Sequence, residues 1–352
     1  MGAKGREQVK RFQRLYTLFF ALALIGFSLY AVLDSFAISR VYQIVEPEIS
    51  AAEAPEAEAA DAAVPQPLES HRPRSGHRPD GGKPSARREH GEAAEATEET
   101  KETETGSAVE DTAASPAHYE DEDMSIEIRT YRQDDTTLYV ADIRVSSPSA
   151  LKTAFARNSY GRNVTASTSA TAESVGAVLA INGDNYGSRE RGYVIRNGVL
   201  YRDTAAKGQE DLVIWSDGSF EIIREAEVSA EELLERGALQ VFSFGPGLIE
   251  NGEITVGTRD EVDRAMASNP RTAIGILEEG HYVLVVSDGR SGESEGLSLY
   301  ELAAFMQELG VQTAYNLDGG GSSTLVFRGE VLNEPSGRGG AERAVTDIVY
   351  LA

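Results

Sequence analysis

A carboxylate followed by three glycines and two hydroxyls, "NLDGGGSSTLVF" at 316–327, is the stretch best suited to chemistry. Each glycine costs conformational entropy on folding, so three in a row belong where the backbone takes unusual angles or a ligand comes close. Consecutive glycines let several N–H groups turn the same way and form a cup for an anion. Gly319, Gly320 and Gly321 would supply that backbone, and Ser322 and Ser323 would add hydroxyl donors. Asp318 then stands beside the cup as an acid, a base or a nucleophile. The stretch is no P-loop, because no Lys-Ser/Thr pair closes it. The plainer reading is a tight turn with its glycines packed under a strand.

Residue counts narrow the chemistry. The 352-residue chain has no cysteine, which removes thiol nucleophiles and thiolate metal sites. Of five histidines, His71, His77, His90 and His118 precede the folded region, which keeps only His281. Multi-histidine zinc sites are therefore excluded, and His281, at the head of the apolar run "HYVLVVSDGR", reads as structural. Proton transfer falls to carboxylates. From residue 124 onward arginine outnumbers lysine 18 to two, and arginine forks bind phosphate or carboxylate through paired hydrogen bonds. The same region carries 34 acids against 20 bases, which argues against a nucleic-acid partner.

Four segments share one design, an apolar strand running straight into small and polar residues: "AVLAINGDNYG" (177–187), "NPRTAIGI" (269–276), "YVLVVSDGR" (282–290) and "AYNLDGGGSS" (314–323). Such strand ends gather binding groups at one edge of a sheet, on loops held by a rigid scaffold. Around them, "IEIRTY" and "LYVADIRV" alternate as an opening strand pair. "YVIRNGVLYRD" and "DLVIWSDGSFEIIRE" place NG and DG between alternating apolar residues, the hairpin signal. "STSATAESVG", "SAEELLERG" and "SLYELAAFMQELG" read as helices, the last two opening on Ser229/Glu232 and Ser298/Glu301. Strands outnumber helices, so residues 124–352 are expected to form an α+β domain with a mixed, mainly antiparallel sheet and a few packed helices.

Ahead of that domain lie three other regions. Residues 15–33 are 19 uncharged residues in a row, about 28 Å as a helix, enough for a bilayer core of about 30 Å. The tail of residues 1–14 holds Lys4, Arg6, Lys10, Arg11 and Arg14 against Glu7 alone. The positive-inside rule therefore expects a single-pass signal anchor with a cytoplasmic N-terminus and an extracellular domain; a cleaved signal peptide is the rival. Residues 46–123 carry 21 acids and seven bases and almost no aromatics, the composition of a disordered acidic linker that would tether the domain away from the membrane.

"AINGDNYG", "FSFGPGLIENGEI", "NPRTAIGI", "NLDGGGSST" and "ERAVTDIVYL" together resemble the phosphodiester glycosidase family, in order, from about Ser125 to Ala352. The resemblance implies hydrolysis of a sugar-1-phosphodiester at the anomeric carbon, in a surface glycan, exopolysaccharide or wall polymer. A glycopolymer-binding protein that has lost turnover, or a glycosyl-phosphate transferase, would share the motifs. On the matching positions it implies Asp318 as the leading catalytic carboxylate, with Asp184, Asp288 and Glu342 competing for the second role. Asp184 stands where members commonly carry an aromatic or a small residue. Arg271 is the first choice for the phosphate and Arg343 the second, while Asn182 and Asn316 would hold sugar hydroxyls or orient carboxylates. No cofactor is required by the sequence; Ca²⁺ or Mg²⁺ on two or three of the aspartates stays open.

Overall fold

The computed structural model describes residues 3–45, 110–111, 117–133, 135–259 and 268–352. Most of the expected acidic linker lies outside these residues. Its C-terminal part does not: strand Glu110–Asp111 pairs with Tyr131 and Arg132, and strand Ala117–Glu120 pairs with Ser125–Ile128. The folded region thus takes in residues ahead of Met124.

The chain opens with helix α1, Ala3–Phe36. Its stretch Arg14–Asp34 is long and apolar enough to cross a membrane, and side chains such as Phe19 and Phe27 are left exposed. Every strand pairing among the described residues is antiparallel. The largest sheet has nine strands. At its centre Thr313–Asn316, Thr272–Glu278, His281–Ser287, Thr136–Val145 and Met124–Gln133 lie side by side. Two five-stranded sheets accompany it, one centred on Ala238–Phe242 and one on Leu179–Asn182. Inward-facing residues from all three, including Ile126, Ile143, Leu179, Ile181, Leu212 and Phe242, form one core. Each such side chain contributes about 1.5–3 kcal/mol by leaving water.

Turns and caps follow local chemistry. Asn197 and Gly198 both take positive φ between strands Val194–Arg196 and Val199–Arg202, as an NG hairpin turn requires. Helices α2 (Thr168–Ser174) and α3 (Ala230–Glu235) are each capped by a serine side chain, Ser167 and Ser229. Helix α4 (Leu299–Glu308) has the full reciprocal box of Ser298 and Glu301. Its buried face of Leu299, Leu302, Phe305 and Met306 packs with Ala273, Val283 and Val285, covering the back of the central strands. His281 is buried with Nε2 2.9 Å from Asp142, a structural contact rather than part of a triad.

Candidate active site

Antiparallel pairing gathers three of the four singled-out strand ends. Strand Thr272–Glu278 lies between Thr313–Asn316 and His281–Ser287, and runs opposite to both. Its entry, Asn269-Pro270-Arg271, therefore sits beside the exits of the other two, Asp288-Gly289-Arg290 and Leu317-Asp318-Gly319. The register Thr272↔Val286 and Ala273↔Asn316 fixes this alignment. Between these loops lies a cavity of about 190 Å³. It is lined by Asn269, Arg271, Arg290, Asn316, Asp318, Gly319, Gly320 and Arg343, with Phe244 and Leu317.

Asp318 is nearly buried, and both of its recorded side-chain bonds fall on one oxygen. Oδ2 accepts from Ser322 Oγ at 2.8 Å and from the Arg343 guanidinium at 2.5 Å, while Arg343 Nε also donates to Ser322 Oγ at 2.6 Å. Oδ1 accepts no hydrogen bond from a described residue. Burial pushes the carboxyl up from its ordinary range; Arg343, Ser322 and Arg189 pull it back. Arg271 is buried, with Nε donating to Leu297 O at 2.7 Å and its backbone N–H bonded to Ser287 Oγ. Arg271 and Asp318 thus line one cavity, which their 47-residue separation along the chain leaves open.

The triglycine turn is tighter than an open cup. Gly320 N–H bonds Pro270 O, Ser322 N–H bonds Gly319 O and Ser323 N–H bonds Gly320 O, so three of the five N–H groups from 319 to 323 are taken by the backbone. Gly320 sits at φ 62°, and a Cβ on Gly319 would lie 2.8 Å from Pro270 O. The glycines therefore serve first to bring the Asp318 loop against Pro270. Ser322 holds Asp318, and Ser323 Oγ is buried without a partner. Asn316 gives Nδ2 to Gly245 O at 2.8 Å and keeps a buried, unpartnered Oδ1 at the cavity.

Outside the triglycine turn, four of the sequence candidates do not line this cavity. Asp184 is fully buried: Oδ1 meets Arg196 at 2.8 Å and Tyr186 N–H at 3.1 Å, and Oδ2 accepts from Ser243 N–H at 2.8 Å. Its carboxylate is satisfied by these bonds and does not line the cavity. Glu342 turns to the start of α2, where it accepts from the N–H and hydroxyl of Ser169. Asn182 is also sealed: Nδ2 donates to Asp318 O at 2.6 Å and Oδ1 accepts from Thr272 Oγ1 and Thr324 N–H. It positions the Asp318 backbone and has nothing left for a sugar hydroxyl. Asp288 lies in an adjoining cavity of about 530 Å³ that shares Arg290 with the first. There it accepts from Glu334 N–H at 2.8 Å and from Asn333 Nδ2 at 3.4 Å, and burial raises its pKa.

Arg290 is the residue sequence reasoning passed over. It closes "SDGR" in a left-handed conformation, φ 61°, uncommon for a non-glycine residue. Its guanidinium forks onto Asn269 Oδ1 at 2.7 and 3.2 Å. The arginine following a Gly at the end of an apolar strand was the available signal. Arg189, stacked 4.8 Å over the Phe244 ring at the cavity wall, had none. Among the described residues no group of three or more His, Cys, Asp or Glu is arranged to hold a metal ion.

A family model described as phosphodiester glycosidase matches residues 175–352. The chain is 33% identical over 181 residues to the SPbeta prophage-derived uncharacterized protein YomE of Bacillus subtilis (strain 168), covering 50% of this chain and 28% of that protein. It is 32% identical over 159 residues to mouse N-acetylglucosamine-1-phosphodiester alpha-N-acetylglucosaminidase, 41% of this chain and 30% of the mouse protein. The human enzyme of that name is 36% identical over 123 residues, 31% of this chain and 24% of its own length. The chain spans less than a third of each of these relatives. Among solved structures, the catalytic domain of the zebrafish enzyme superposes with a TM-score of 0.53 at 22% identity, over 69% of this chain and 87% of that one, a likeness of fold. The matched segment makes up half of the sequence and contains Arg271, Asp318 and Arg343, and the chain belongs to the phosphodiester glycosidase family.

Proposed function

We propose that the domain hydrolyses a sugar-1-phosphodiester of the N-acetylglucosamine-1-phosphate type at the anomeric carbon. The observation that carries this is a charge surplus. Among the described residues, the Asp318 cavity is lined by three arginines, Arg271, Arg290 and Arg343, and one carboxylate, in a chain whose net charge is -24. Such a site favours an anion with a reacting centre beside the carboxylate. The phosphate would lie toward Arg271 and Arg290, and C1 toward Oδ1 of Asp318.

The reaction breaks the C1–O bond, and the electron pair leaves with the phosphate as a phosphomonoester. A phosphate is a good leaving group, so one carboxylate suffices where ordinary glycosides need two. Asp318 attacks C1 or takes a proton from the water that does, and either role needs it ionised. Arg343 and Ser322, both on Oδ2, hold the ionised form and aim Oδ1. The names of the mouse and human relatives supply the sugar. Helix α1, whose apolar stretch follows the basic residues Lys4, Arg6, Lys10, Arg11 and Arg14, would anchor the chain in a membrane and place the domain outside, facing surface glycans.

The test follows free sugar and phosphomonoester from a GlcNAc-1-phosphodiester, and from UDP-GlcNAc, with the full chain in detergent. Turnover lost in Asp318→Asn and weakened in Arg271→Ala supports the reading. Glycan binding without turnover on either substrate would sink it in favour of a binding protein.

A further inference from the structure

The segment just after α1 is stitched to the folded domain. Strand Arg40–Ile44 pairs antiparallel with Ser159–Arg162, with Arg40 opposite Arg162 and Ile44 opposite Ser159. Both ends are fastened outside the ladder: Val45 N–H donates to Asn158 O at 2.8 Å, Ser39 Oγ to Asn163 O at 2.7 Å, and Asn163 Nδ2 to Ile38 O at 3.2 Å. Gly161 is needed for the close approach, since a Cβ there would collide with the Arg40 carbonyl. Tyr42 packs on Tyr160 with ring centroids 5.9 Å apart, and Val45 rests on the Phe155, Tyr160 and Tyr186 cluster. Arg40 in turn pairs with Asp34 in the last turns of α1.

Only residues 37–39 separate the end of α1 from this strand, so Phe36 and Arg40, four steps of chain apart, lie within about 14 Å. A flexible linker of the length expected from the sequence, residues 46–123, would instead let its ends average about 50 Å apart. The short connection decides the position. In chain order, residues 46–109 come after strand Arg40–Ile44, which is already paired with the domain. The loop after Asn182 also links strand and cavity, because Gly183 O accepts from Asp318 N–H and Gly187 O from Asn163 N–H. Three residues, four steps of chain, separate those two carbonyls, about 14 Å at full extension.

We infer that strand Arg40–Ile44 clamps the domain against the base of its own membrane helix, so that the Asp318 cavity works on sugar phosphodiesters at the bilayer surface. The inference rests on the membrane reading of α1 given above.

The absence of cysteine makes the test clean. The full chain in phospholipid vesicles carries Arg40→Cys with Arg162→Cys, or Arg40→Cys with Lys207→Cys as an unpaired control, and a protease site placed within 46–109. On mild oxidation the first pair should form a disulfide at least about tenfold faster than the control. After proteolysis the domain should stay joined to the helix fragment until reductant is added. Equal rates for the two pairs overturn the clamp. Release of the whole protein from vesicles at alkaline pH overturns the anchor, whether or not the disulfide forms. Neither result depends on turnover, so a failure of the hydrolase reading is separately visible.

Discussion

Two aspartate–arginine constellations lie close together in this domain, and they do different things. Around Arg196, two carboxylates meet one guanidinium with almost no exposure: Asp184 at 2.8 Å and Asp347 at 2.9 Å. Arg196 also donates to the carbonyls of Ile195 and Val241. That group ties strand Val194–Arg196 to the last strand, Asp347–Leu351, and its three side chains are almost wholly buried with their charges paired. Around Asp318 the ratio is reversed: among the described residues lining the cavity one carboxylate stands with three arginines, and both of its bonds fall on Oδ2. Burial raises the pKa of Asp318 and of Asp347 alike, so a perturbed carboxyl does not by itself mark the site. Access and unsatisfied acceptors do.

The comparison breaks most visibly on single substitutions. Asp318→Asn should lower kcat by about 10²–10⁴-fold while the unfolding midpoint stays near that of the parent. Arg196→Met should do the opposite. It strands two buried carboxylates, a loss of about 3–5 kcal/mol in denaturant titration, with kcat/KM per folded molecule preserved. A variant at Arg196 that folds normally but has no turnover would show that the two groups had been assigned the wrong way round.

A smaller effect separates the regions by pH. Asp347 is pushed up to about 7 by burial and by Asp184, against the pull of Arg196. In the unfolded chain it titrates near 4. Between those values the folded state binds the proton more readily, so this contribution to stability is full below about pH 4 and is lost as pH rises toward 7. Unfolding midpoints should fall across that window, and Asp347→Asn should flatten the slope. A parent slope that survives the substitution removes Asp347 as its source.

Much of this was legible in the sequence, for identifiable reasons. Hairpin turns, serine caps and the face of α4 follow from local chemistry, and the structure reproduces them. Asp318 and Arg271 were selected as residues at strand ends, and antiparallel pairing brings those ends together. What could not be read was direction. Asp184, a candidate for the second carboxylate role, turns its side chain inward to Arg196, a partner only the folded sheets supply. Glu342 was drawn away in the same manner by the start of α2. Arg290 escaped because its placement depends on a left-handed backbone and on Asn269, 21 residues earlier. The strand at Arg40–Ile44 was missed because its partner lies more than a hundred residues on, across a segment whose composition reads as a spacer.

Within the cavity, the arginines should separate by the step they serve. Arg290→Lys keeps the charge but loses the fork that fixes it on Asn269, so KM should rise about tenfold with kcat little changed. Arg343→Gln acts on Asp318 itself. Arg343 favours the ionised carboxylate, so its removal leaves burial less opposed and raises the pKa further. Because Asp318 works ionised, the acid limb of the kcat profile should move to higher pH, while the rate well above that limb falls only moderately. Arg290→Lys should leave the limb where it is. If both variants shifted it equally, the contact of Arg343 with Oδ2 would not be what tunes the catalytic carboxylate, and the two arginines would act only as a shared positive field.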